Sequence, residues 1–134
     1  MYSWLLLAPD SGGHNEILEA REIVNMDLRA DLAVLAACET ARGEVNAGEG
    51  LIGMSWAFLV AGTPTTLVSQ WQVDSAGTTE LMLAFHRNVK PALDSGNGAG
   101  RARALQRAAV GLMHFPQYRH PFYWAGFGMI GDGY

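Results

Sequence analysis

The sequence predicts an α/β fold with a mostly parallel sheet. Three observations carry this. Short β-branched or apolar runs alternate with longer segments of helical spacing, the signature of βαβ units. The run at 32–37, "LAVLAA", is apolar on both faces, as a strand covered by helices on both sides must be. The chain is 134 residues long, with 49% hydrophobic and 16% charged residues, so one domain with a real core can form.

The elements follow in order. "SWLLL" at 3–7 is a strand ended by the turn-forming "PDSGG" at 9–13. The segment 17–26 sets Ile17, Leu18, Ala20, Ile23 and Val24 on one helical stripe, with Glu19, Arg21 and Glu22 off it, and predicts a short amphipathic helix. After the strand at 32–37 comes a glycine-bearing loop. The segment 51–61, "LIGMSWAFLVA", is too long and too rich in Met, Trp and Phe for a strand, and predicts a buried helix ended by Gly62, Thr63 and Pro64. Met54, Trp56, Phe58 and Trp124 are expected in the core. Residues 66–71 make a third strand, and 75–89 a helix that Asp74 or Ser75 caps and that ends near Lys90 and Pro91. The loop 94–100 leads to a helix at 99–114, on which Arg101, Arg103 and Arg107 are expected on a solvated face. The last strand is 123–130, before the turn at 131–133. No internal repeat or low-complexity tract interrupts this order.

Charge and cysteine content narrow the function. A net charge of −4 gives no basic field for nucleic acid or an anionic membrane. The one cysteine, Cys38, cannot form an internal disulfide, which suits a reducing, cytoplasmic compartment. No apolar run reaches the roughly 18 residues of a spanning helix, and the first residues lack the positive region of a signal peptide. Cys38 falls where the second parallel strand gives way to a loop containing Gly43, Gly48 and Gly50. The carboxyl end of a parallel strand opens into the crevice where α/β folds bind ligands, and a thiol there is a candidate nucleophile. A free cysteine is equally at home as a small buried hydrophobe.

Several short motifs stand in a fixed order: "AREI" at Ala20–Ile23, "ACET" at 37–40, "GEGL" at 48–51, "AG" at 61–62, "WQVD" at 71–74, and finally His120, Pro121 and Trp124. Together they resemble the CHAT domain, the caspase-like domain often joined to tetratricopeptide repeats and grouped with caspases, gingipains and separases. The resemblance covers nearly the whole chain. It implies a caspase-like three-layer α/β/α sandwich with a mostly parallel sheet. It also implies a cytoplasmic cysteine endopeptidase that needs no metal or cofactor, with Cys38 as the nucleophile of a Cys-His dyad.

The histidine of that dyad is expected upstream of this chain. In caspases it precedes the cysteine by about 50 residues in a His-Gly motif. This sequence contains no His-Gly pair. His14 sits in a turn, His86 on a helix, His114 at a helix end, and His120 in a motif that reads as structural. On this reading residues 1–134 are the C-terminal portion of a CHAT domain, without the N-terminal strands and the histidine-bearing segment. The chain is then either a fragment of a longer peptidase or a catalytically inactive interaction module. The resemblance also places Gln70, Trp71 and Asp74 beside the P1 pocket, where an acidic group favours a basic side chain. Many family members carry a second acidic residue there, and this chain has Ser75. Glu39 and Glu49 are expected to shape the loop. The implied partners are a polypeptide substrate or a protein, with tetratricopeptide repeats in the parent. Self-association is expected through the apolar edge of the 3–7 strand, which carries no Lys or Pro to discourage pairing.

Overall fold

The computed structural model describes residues 3–9, 17–36, 47–71, 73–94 and 99–132. Among the described residues there are five strands, β1 (Trp4–Leu6), β2 (Ile17–Glu19), β3 (Ala33–Leu35), β4 (Thr65–Ser69) and β5 (Phe127–Gly131). Four α-helices accompany them: α1 (Ala20–Ile23), α2 (Ala47–Val60), α3 (Ser75–Asp94) and α4 (Ala99–Met113). Short 3-10 turns at Pro116–Tyr118 and Pro121–Tyr123 lead into β5.

The strands form two sheets. β1 and β2 make an antiparallel hairpin, and β3, β4 and β5 make a three-stranded sheet in that order. β3 runs parallel to β4, with Leu35 opposite Val68. β5 runs antiparallel to β4, with Phe127 opposite Ser69. The sheet is therefore mixed, and the expectation of a mostly parallel sheet is corrected at its last strand. The two 3-10 turns after α4 bring the chain back at the carboxyl end of β4, so β5 has to start there and run the other way.

β4 is the middle strand, and all five of its residues are buried. Its two threonines are tolerable in that position because β5 satisfies them: Thr65 Oγ1 donates to the Asp132 carbonyl and Thr66 Oγ1 to the Ile130 carbonyl. Two apolar clusters flank the sheet. Leu67, Val73, Leu81, Phe85, Ala104 and Leu112 belong to one, built with α3 and α4, and Val34 packs against it. Ala20, Ile23, Met54, Ala57 and Ala61 form the other, built with α1 and α2, and Leu35 packs against that one. Neighbouring residues of β3 thus face different clusters, as strand alternation requires.

Three local readings change. The 17–26 segment is not one helix. Residues 17–19 pair with β1, Leu18 opposite Leu5, and α1 occupies only the four residues that follow. Its start is set by a capping box between Glu19 and Glu22 and by the Ala20 amide donating to Ser3 O at 2.9 Å. Trp56 is not a core residue. It is 47% exposed, with Ile52 and Val60 exposed at the same i, i+4 spacing, because α2 is apolar all round and packs on one side. Arg101 does not lie on a solvated face: its side chain is 11% exposed and its Nη1 donates to Thr65 Oγ1 at 3.3 Å. Helix α3 also runs through Pro91 to Asp94, giving up one amide donor in its last turn.

The end of α2 falls where the sequence puts it. Gly62 has φ 106°, and the amides of Gly62 and Thr63 donate to Leu59 O and Phe58 O, a Schellman cap. A side chain at 62 would also strike the Leu28 carbonyl oxygen 2.5 Å away. The hairpin leaves Leu6, Leu7 and Ile17 exposed.

Candidate functional site

The site lies at the end of the sheet where the parallel strands β3 and β4 finish and β5 begins. The register sets Leu35 beside Val68, so the chains leaving β3 and β4 depart at one end. Cys38 comes three residues after β3. Cys38, Glu39 and His14 fall outside the described residues, as does the side chain of Glu49. β4 continues into Gln70, Trp71 and Asp74, so the three substrate-side residues named from the sequence stand together on the β4–α3 connection.

Each has a defined setting. The Gln70 amide donates to Gly126 O at 2.7 Å, extending the β4–β5 ladder by one bond. Trp71 is 38% exposed, and its Nε1 donates to Phe122 O at 3.3 Å. Phe122 itself is 42% exposed, and it meets Tyr123 edge-on at 5.5 Å. Asp74 is exposed; its Oδ2 accepts from the Gly77 amide at 2.8 Å and its carbonyl accepts from Thr78 N. Asp74 therefore caps α3, satisfying one of the orphan amides of the first turn.

The cap has a measurable weight. Asp74→Ala is expected to lower stability by about 1 kcal/mol, and Asp74→Asn by a few tenths, because asparagine caps nearly as well. Urea denaturation of both variants checks this. An alanine variant as stable as the parent would show that the bond to Gly77 contributes nothing.

Two of the three described histidines have a ring nitrogen in contact with backbone. His86 is exposed on α3, and its Nδ1 lies 2.7 Å from Met82 O in the preceding turn. His114 is exposed beyond the end of α4. The Nδ1 of His120 accepts from the Phe122 amide at 3.2 Å and caps the Pro121–Tyr123 turn. Among the described residues no group of three or more His, Cys, Asp or Glu could hold a metal ion, and no helix is long and apolar enough to cross a membrane.

Sequence reasoning missed Phe122 and the two glycines that bracket Phe127. Gly126 and Gly128 stand two residues apart around the start of β5, but nothing along the chain ties them to residues 70 and 71.

The described residues make an α/β chain in which the parallel strands β3 and β4 end on one side of the sheet. The CHAT-domain family profile matches residues 1–132, and the chain belongs to the CHAT domain family. It is 31% identical over 116 residues to tetratricopeptide repeat protein 28 of Mus musculus, and equally to that of Homo sapiens. Each alignment covers 87% of this chain but only 4% of the relative. No solved structure matches.

Proposed function

We propose that this CHAT domain is the C-terminal part of a caspase-like cysteine endopeptidase, with Cys38 as nucleophile and Gln70, Trp71 and Asp74 on the substrate side. The supporting observation is the parallel register of β3 and β4, which ends both strands at one edge of the sheet. The two apolar clusters, one against Val34 and one against Leu35, favour the three-layer arrangement of that fold.

In this reading the Cys38 sulfur attacks the scissile carbonyl carbon and forms a thioester. The amine leaves with a proton from a histidine supplied by an upstream segment, and water then cleaves the thioester and restores the thiol. No metal or cofactor takes part. The substrate is a polypeptide, the setting cytoplasmic, and the parent carries tetratricopeptide repeats. The exposed Leu6, Leu7 and Ile17 offer a surface for self-association.

A second reading, a catalytically inactive CHAT-derived module that binds a protein partner, is favoured by the described histidines. Among them His86 and His120 are each already hydrogen-bonded to backbone.

A longer chain carrying an upstream His-Gly segment separates the two, assayed on peptides with arginine, leucine or aspartate at P1. Cleavage after arginine is expected. Asp74→Asn keeps the cap and removes the charge, so it should lower kcat/KM for arginine substrates about tenfold or more, an ionic hydrogen bond being worth about 1.5–3 kcal/mol. Equal loss on all three substrates would leave Asp74 as a cap only. No cleavage of any peptide by the longer chain would favour the binding module.

A further inference from the structure

Two glycines of the β5 region lie against the residues that follow β4. Among the described residues the glycines with positive φ are Gly62 and Gly131, so backbone conformation does not call for glycine at 126 or 128. Room does. A Cβ at 126 would stand 2.6 Å from Val73 Cγ1 and 3.0 and 3.1 Å from Cε2 and Nε1 of Trp71. A Cβ at 128 would stand 2.7 Å from Nε2 of Gln70. The neighbours that exclude a methyl group thus include Gln70 and Trp71, two of the three substrate-side residues.

The two contacts differ in kind. The Gln70 amide is the far end of a flexible side chain and can move at little cost. The Trp71 indole is rigid, rests on Gly126 and is tied by its Nε1 to Phe122 O at 3.3 Å. A methyl group at 126 would press Val73 Cγ1 hardest and push the indole by a few tenths of an ångström, along the bond that ties Nε1 to Phe122 O. Trp71 as a whole is still 38% exposed, at the end of the sheet where β3 and β4 finish.

We propose that Gly126 and Gly128 are positioning residues of this site: their missing side chains seat Trp71 and Gln70 against the start of β5 and hold an indole face ready for a bound polypeptide. The proposal rests on the reading of Gln70 and Trp71 as substrate-side residues. A ring fixed before binding loses no rotamer freedom when the peptide arrives, which is the advantage of such seating.

The test uses the 134-residue chain and two readouts. The chain has four tryptophans, so an ¹⁵N-labelled sample gives a small set of indole N–H signals, and Trp71→Phe identifies that of Trp71. Gly126→Ala should shift this signal and leave the others in place. The second readout is alkylation of Cys38, the one cysteine, by a tripeptidyl chloromethyl ketone ending in arginine and by iodoacetamide. The ratio of the two rates reports peptide recognition apart from thiol reactivity. Gly126→Ala should lower that ratio about tenfold, the scale expected of a misplacement below 1 Å. Gly128→Ala, whose methyl meets only the end of Gln70, should shift the Gln70 side-chain amide signal and lower the ratio by a smaller factor. It carries the same test if Gly126→Ala does not fold.

A Trp71 signal unmoved by Gly126→Ala, or a moved signal with an unchanged ratio, overturns the positioning role. For Gly128→Ala the same holds of the Gln70 amide signal. A parent chain whose ratio does not depend on the peptide overturns the substrate-side reading instead. In that case the Trp71 signal alone decides whether Gly126 seats the ring.

Discussion

Cys38→Ala is expected to abolish peptide cleavage by a longer chain that carries the upstream histidine. In the proposed mechanism the Cys38 sulfur forms the acyl bond, and no other side chain proposed for this site can replace it. Removing the nucleophile of an acyl-transfer peptidase costs on the order of 10⁶-fold in kcat. The substrate-side surface is untouched by the substitution, so the alanine variant should still bind peptide substrates with affinity near that of the parent. The 134-residue chain alone is expected to turn over no peptide, because a thiol that no base deprotonates is a poor nucleophile. Cleavage rates on fluorogenic peptides, with peptide affinity measured by titration on the alanine variant, check all three statements. Turnover that survives Cys38→Ala would remove Cys38 from the mechanism.

Phe85→Ala is expected to have the largest effect on stability. Phe85 is 0% exposed at the centre of the α3–α4 cluster, with Leu67 of β4 in the same cluster. Deleting a buried phenyl ring costs about 3–5 kcal/mol in transfer free energy and residual cavity. A domain of this size is stable by only about 5–15 kcal/mol, so much of its margin would go. The midpoint of thermal unfolding should fall by roughly 10–20 °C. His86 provides the comparison. It adjoins Phe85 in sequence and meets it edge-on at 5.4 Å, yet it is exposed, so His86→Ala should cost well under about 1 kcal/mol. Calorimetry of the two variants is the measurement. Similar small losses in both would mean that the cluster is not packed around Phe85.

Much of the fold was legible because it rests on local chemistry. The stop of α2 at Gly62 is one case: only glycine accommodates a positive φ with the Leu28 carbonyl oxygen so near, and the sequence carries glycine there. The cap at Asp74 is another, since a carboxylate preceding a helical run is a start signal wherever it occurs. β4 could be read from its β-branched run. The 17–26 segment failed for a reason that local chemistry cannot supply. Ile17, Leu18, Ala20, Ile23 and Val24 fit a helical stripe, and in isolation nothing distinguishes that stripe from a short strand followed by one helical turn. The partner decides: β1 takes the backbone of residues 17–19, and the helix begins only beyond it.

The candidate site divides along the same line. Cys38, Gln70, Trp71 and Asp74 could be proposed from sequence because they stand in a recognisable order of motifs, and Gln70 directly follows β4 in the structure. Gly126, Gly128 and Phe122 could not, because they act on Trp71 and Gln70 from more than 50 positions away. Their role exists only once β5 lies against β4.

The sequence by itself therefore determined the α/β class, the extents of α2, β4 and α4 to within a few residues, and the family. These depend on periodicity, caps and motif order, which are properties of neighbours along the chain. Tertiary structure alone decided the direction of β5, the hairpin at residues 17–19, the burial of Arg101 against Thr65, the exposure of Trp56 and the seating of Trp71 on Gly126. Each of those turns on which surfaces meet, and a burial preference or a hydrogen-bond donor does not name its partner until the chain has closed on itself.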